Sequence, residues 1–359
     1  MRSARSKGLK VSIGLAVTAS FLWLLMRGID LDALGQAFAA LSVPFVLLGL
    51  VFLTAGYAVR IVRWWCMLRV LEPNLSFRVC VWPFLTSIAV NNVLPFRAGD
   101  ALRVLGFRRQ LQSPALRVLG TLVIERVLDL VVLAGFFFLG LLGLPDGVFR
   151  RKFVVAVTWL AGLGIAAILA LMLILPLIER FWFRLSEHRF FAGQNWAEAV
   201  GRHGAHLIEV LGLVRSAPRL LALIGLSVVA WTCEGAVFVS VAVAVHADAA
   251  PMGPWFSLAT GTIATLIPSS PGYIGTFDYF AAQGIEAYGT PPEVAATFAL
   301  TVHAVLWTPL TGSGLLYLLL HGVRLRSIYE KKRSVPLARF LLNFMGKVAE
   351  ALQRIRRDF

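Results

Sequence analysis

Apolar residues run almost uninterrupted through six stretches of the chain: Val11 to Met26, Leu41 to Val59, Val118 to Leu144, Phe153 to Ile178, Leu220 to Val245 and Val294 to Leu320. A helix that crosses a bilayer needs about 20 such residues. The first run is short and relies on Lys10 and Arg27 reaching the interface. A soluble core shows shorter apolar stretches at helical or strand period, so the pattern predicts an all-α, polytopic integral membrane bundle with six full spans. Two further stretches, Val79 to Leu94 and Trp255 to Ile267, stop at Pro95 and at Pro268-Ser269-Ser270-Pro271-Gly272. Proline cannot continue a helix, so these read as broken half-helices.

The polar residues between the runs orient them. Lys and Arg gather in Met1 to Lys10, between Arg60 and Arg78, and between Arg97 and Arg117, whereas the loops holding Asp30, Asp32, Asp248, Glu286 and Glu293 are acidic or poor in cations. The positive-inside rule places the basic segments and both termini in the cytoplasm, as in a protein of the inner (cytoplasmic) membrane. The alternation closes only if each broken segment returns to the face it entered from. Two re-entrant hairpins, one from each face, make an inverted-repeat-like arrangement. Arg150, Arg151 and Lys152 fall on the outer side in this scheme and have no account beyond snorkelling. Residues 1–323 form one membrane domain, in which 177–219 is an interfacial cytoplasmic loop. Residues 324–359 form a basic amphipathic tail whose Leu337, Phe340, Leu341 and Phe344 recur at helical spacing, suited to anionic inner-leaflet lipids.

Composition agrees: 58% of the 359 residues are hydrophobic, 15% are charged, and mean hydropathy is +0.78. A soluble enzyme is excluded. The net charge of +15 lies in the gaps between apolar runs, which orientation explains better than nucleic acid does. Cys66, Cys80 and Cys233 show no CxxC spacing and form no ligand set with the histidines, so neither a metal nor another cofactor is expected. The N-terminus has signal-peptide features, but the many spans that follow favour an uncleaved first helix.

Candidate chemistry concentrates at the two breaks. Leu94-Pro95-Phe96-Arg97-Ala98-Gly99 and Ile267-Pro268-Ser269-Ser270-Pro271-Gly272 share an apolar residue, Pro, and Gly four positions after it. Unwound backbone at membrane depth is tolerated where it is buried in protein or lines a wet cavity, so the breaks are expected to meet at one. Asn91, Asn92, Arg97, Asp100 and Arg103 crowd the first break, and an arginine fork there suits a phosphate. The second offers Ser269, Ser270, Gly272, Tyr273, Gly275, Thr276 and Asp278. Glu125, Arg126 and Asp129 sit inside the third span, where each charge costs about 2.5 to 3.5 kcal/mol. One carboxylate there needs an outside partner, and Arg97 is the candidate. Glu234 and His303 are isolated ionisable groups in other spans.

Asn91-Asn92-Val93-Leu94-Pro95-Phe96-Arg97-Ala98-Gly99-Asp100-Ala101-Leu102-Arg103, Glu125-Arg126-Val127-Leu128-Asp129, and Pro268-Ser269-Ser270-Pro271-Gly272-Tyr273-Ile274-Gly275 together resemble the lysylphosphatidylglycerol synthase transmembrane-region family, or flippase-like domain. The resemblance spans Lys10 to Arg324. It implies a membrane domain that moves lipids or lipid-linked molecules between leaflets, sometimes fused to an aminoacyl-lipid synthase. No such synthase follows the last span here, so aminoacylation does not carry over. Family patterns place two glycines and an acidic residue around the third block, where this chain has Ser269, Ser270 and, downstream, Asp278. The expected function is transport of a phosphate-bearing lipid or lipid-linked glycan carrier. Two alternatives stay open: an intramembrane lipid-processing enzyme, although no HExxH, GxSxG or phosphate-loop motif is present, and a non-transporting partner of a glycosyltransferase or lipid synthase.

Overall fold

The computed structural model describes residue 14 and residues 16–94, 97–144, 209–210, 212–267 and 269–329. These residues form helices, with no strand among them: α1 (Ala16–Met26), then α2 (Leu31–Ala39), α3 (Val43–Leu71), α4 (Phe77–Val93), α5 (Ala98–Leu105), α6 (Arg108–Leu111) and α7 (Ala115–Leu141). After them come α8 (Ala217–Ala244), α9 (Gly253–Ala264), a 3-10 turn (Pro271–Tyr273), α10 (Thr276–Glu286) and α11 (Pro292–Tyr329). Three helices are long and apolar enough to cross a membrane: α3, α8 and the Pro292–His321 part of α11. At 27 residues, or about 40 Å, α7 matches them in length but carries Glu125, Arg126 and Asp129. The expected span Phe153 to Ile178, the 177–219 loop for the most part, and the tail beyond residue 329 lie outside the described residues.

Two boundaries differ from the sequence reading. The second span does not end at Val59. It continues as helix to Leu71, so Arg60 and Arg63 are buried helix residues rather than members of a cytoplasmic loop. No Gly or Pro interrupts Arg60 to Leu71, and the helix stops only ahead of Pro73. The second difference is α2, an added helix in the acidic loop after α1, whose N-terminal amides of Asp32 and Ala33 donate to the Asp30 carboxylate.

Contacts at the helix ends sort the loops into two groups. At one end, Arg117 at the start of α7 bridges Glu72 after α3 and Glu209 ahead of α8. At the other, the Ser42 amide before α3 donates to the carbonyl of Ala244 at the end of α8. The Tyr288 hydroxyl after α10 donates to Gly140 near the end of α7, and Gly253 at the start of α9 packs on Tyr288. Thus α4 leaves and the chain returns at the first end, while α9 and α10 leave from and return to the second. Aromatic and aliphatic side chains fill the interior around Trp64 and Phe84 at one end and around Phe238, Phe277 and Phe298 at the other.

Candidate functional site

Arg60 and Arg63, three residues apart, share one face of α3. Arg63 is wholly buried, and its guanidinium grips both carboxylate oxygens of Asp129 on α7, Nη1 to Oδ1 at 2.6 Å and Nη2 to Oδ2 at 3.2 Å. The Trp231 indole N–H donates to the same Oδ1 at 3.0 Å, and Ser227 accepts from Arg63. One turn earlier, Arg60 pairs with Glu234 on α8 at 2.5 Å, its cation lying over the rings of Tyr57 and Trp231. Arg103 on α5 meets Glu125 on α7 at 2.9 Å, between the rings of Trp64 and Phe84. Arg126 faces outward, its side chain 42% exposed, 3.5 Å from Asp100. Low dielectric makes an unpaired ion prohibitive, and a bidentate, hydrogen-bonded arginine partner offsets much of that cost.

Arg97 is therefore not the partner of Glu125 or Asp129. It is exposed, and it forms no ion pair with any described residue. The reason lies two residues on: α5 is pressed so closely onto α4 that a Cβ on Gly99 would stand 1.8 Å from the Ser87 carbonyl oxygen. That contact sets the register of α5 and brings Arg103, not Arg97, against α7. The missed cations Arg60 and Arg63 left a signal in the sequence, since they recur at helical spacing with no breaker around them and three buried carboxylates required cations.

At the first break, Asn91 on α4 caps α5: its Oδ1 accepts from the amides of Gly99 (2.7 Å) and Asp100 (3.2 Å), and its Nδ2 donates to Asp100 Oδ1 (2.9 Å). Asn92 donates to Thr311 on α11 at 2.9 Å. At the second, Asp278 Oδ2 accepts from the Gly275 amide at 2.8 Å while Oδ1 lies 2.7 Å from His303 Nδ1 on α11. The Ser269 hydroxyl accepts from Thr276, and the Ser270 amide donates to Thr18 on α1.

The two breaks touch. Gly272, at φ 75° in the left-handed region open to glycine, lies against Asn92, where a Cβ would be 3.2 Å from the Asn92 carbonyl oxygen and 2.8 Å from Trp307 Nε1. Between them is a cavity of about 160 Å³ whose polar wall comprises Tyr57, Asn92, Glu234, Thr262, Thr265, Tyr273, His303 and Trp307. Of the residues singled out in the sequence, Asn92, Glu234, Gly272, Tyr273 and His303 line it. Asn91, Asp100, Arg103, Glu125, Arg126 and Asp129 brace the first break and its neighbours, whereas Ser269, Ser270, Gly275 and Asp278 build the second. Tyr57 and Trp307 join the wall from helix faces that carry no motif. Among the described residues no cluster of three His, Cys, Asp or Glu side chains could hold a metal ion.

Long apolar helices, with ion pairs buried between them and a cavity with polar side chains in its wall where the two breaks meet, define a multi-pass membrane protein. The chain belongs to the family described as lysylphosphatidylglycerol synthase TM region, which matches residues 11–314. That match takes in both breaks, every buried ion pair described above and the cavity wall. No curated protein sequence matches the chain significantly.

Proposed function

We propose that the chain moves a lipid with a phosphate-bearing headgroup between the leaflets of the cytoplasmic membrane, passing the headgroup through the cavity between the two breaks while the acyl tails stay in the bilayer. One observation supports this reading: the two breaks meet, through Gly272 and Asn92, at a cavity lined by polar as well as apolar side chains. Carrying a phosphate through hydrocarbon unaided is prohibitive, whereas a shared site exposed alternately to each side needs only a short polar path. Arg97, exposed at the tip of the first break, is suited to collect the phosphate with its bidentate fork. Ser269 and Ser270 border the second break from the other hairpin. Transport would draw on a gradient or run passively, with anionic inner-leaflet lipids engaging the basic tail and a lipid synthase or glycosyltransferase as supplier of the cargo.

The test is leaflet exchange in vesicles holding the purified chain and headgroup-labelled phosphatidylglycerol, read by quenching from outside. Wild-type protein is expected to expose inner-leaflet label. Arg97→Ala should elute and melt like wild type, because no described residue depends on it, yet exchange about 10-fold more slowly, and Arg97→Lys should resemble it because an ammonium cannot chelate. If wild-type protein exchanges every phosphate-bearing lipid tried at the rate of empty vesicles, the transport reading is wrong.

A further inference from the structure

His303 and Trp307 are four residues apart on α11 and share one helical face, and both line the cavity. Trp307 Nε1 is a donor-only group, buried, with no hydrogen-bond partner among the described residues. What it lacks is an acceptor. His303 differs, because its Nδ1 is engaged by Asp278 at 2.7 Å, which leaves Nε2 for the cavity. A neutral imidazole must spend its one N–H on the Asp278 carboxylate, so Nε2 then presents a lone pair. Beside an anion that lone pair repels. A proton taken up by His303 makes Nε2 a second donor next to Trp307 Nε1.

The charges around His303 point the same way. Asp278 of α10 is 1% exposed and faces its ring directly. From α8 comes Glu234, already neutralised by Arg60 of α3. Tyr57 of α3 and Tyr273 of the 3-10 turn add phenols, while α4 and α9 contribute the uncharged Asn92 and Thr262. The helix α2, also packed on α11, adds nothing to the cavity wall. With neutral imidazole, none of these groups offsets the charge of Asp278, which lies behind the ring of His303 rather than on the cavity wall. At Gly272 a Cβ would come within 2.8 Å of Trp307 Nε1, so only a residue without a side chain lets the second break lie beside this nitrogen at the cavity edge.

We infer that the paired N–H groups of His303 and Trp307 are the seat of a phosphate anion, which binds together with a proton taken up by His303. This rests on the transport reading only for the identity of the anion as a lipid headgroup. Titration calorimetry of the detergent-purified chain with a short-chain phosphatidylglycerol, in two buffers of different ionisation enthalpy, counts the protons. Wild-type protein should take up about one proton per ligand and lose affinity as pH rises, because the bound state holds the extra proton. His303→Gln should bind with no proton uptake and no pH dependence. Trp307→Phe should keep the uptake and bind about 5- to 10-fold more weakly. Wild-type binding without proton uptake, no binding at all, or unchanged uptake in His303→Gln overturns the inference. If His303→Gln does not fold, the wild-type proton count and Trp307→Phe decide. A parallel titration with inorganic phosphate separates the sources: equal affinity with the same proton uptake assigns the seat to free phosphate. His303-dependent binding in a chain that exchanges no lipid keeps the seat and removes the transport function.

Discussion

Arg63 shows how much one side chain can organise. It is wholly buried, and it ties α3 to α7 through Asp129 and to α8 through Ser227, while Trp231 completes the same carboxylate. Arg63→Met leaves Asp129 with one indole donor, and Asp129→Leu strands a guanidinium; each is expected to cost about 3 to 5 kcal/mol. The double variant removes both charges and should melt well above the sum of the two losses. Thermal unfolding of the three variants in detergent measures the coupling, and simple additivity would deny it. At this scale the sequence spoke clearly about which carboxylates were in trouble and poorly about their rescuers. Glu125, Asp129 and Glu234 stand out in apolar surroundings, but arginines near the end of a hydrophobic run look like loop residues until the helix is seen to continue past them.

Element boundaries were legible wherever proline or glycine stops a helix, so both breaks and the limits of α7 and α8 follow the apolar pattern within a few residues. How elements close on one another was not, because close approach depends on small residues whose partners are remote in sequence. The second break illustrates this. It is covered by α1, through the Thr18 hydroxyl on the Ser270 amide, through Phe21 against Tyr279 and Phe280, and at Gly275, where a Cβ would stand 2.7 Å from the Thr18 carbonyl oxygen. A Ser270→Cys thiol should thus react slowly with a water-soluble maleimide. Adding Gly275→Ala, at a φ of 84° and with no room for a methyl, should lift α1 and speed the reaction by about 10-fold. Equal rates in the two backgrounds would show that α1 does not shield the break.

For the molecule as a whole, the two ends differ in sign. One gathers Arg69, Arg78, Arg108, Arg109 and Arg117 around the Glu72 bridge; the other gathers Asp30, Asp32, Asp248, Glu286 and Glu293. By the positive-inside bias, the first is expected to face the cytoplasm. In a cysteine-free background, Asn74→Cys should be labelled by an impermeant reagent only after the cell is opened, and Asp30→Cys and Ala250→Cys in intact cells. Labelling of all three from one side would contradict the fold, because α3 separates residue 74 from residue 30 and the Ser42–Ala244 contact holds the latter beside residue 250.

The contact between Gly272 and Asn92 also bears on what the membrane keeps out. Asn92, Gly272 and Trp307 meet there with no room for a methyl group, so the innermost wall of each hairpin is also the innermost wall of the other. On the proposed transport reading, a shared partition of this kind would open toward one aqueous phase only while closed toward the other, so that no continuous water column would join the two. A cell carrying many copies of a transporter built this way would then not short-circuit the ion gradients on which the rest of its membrane depends.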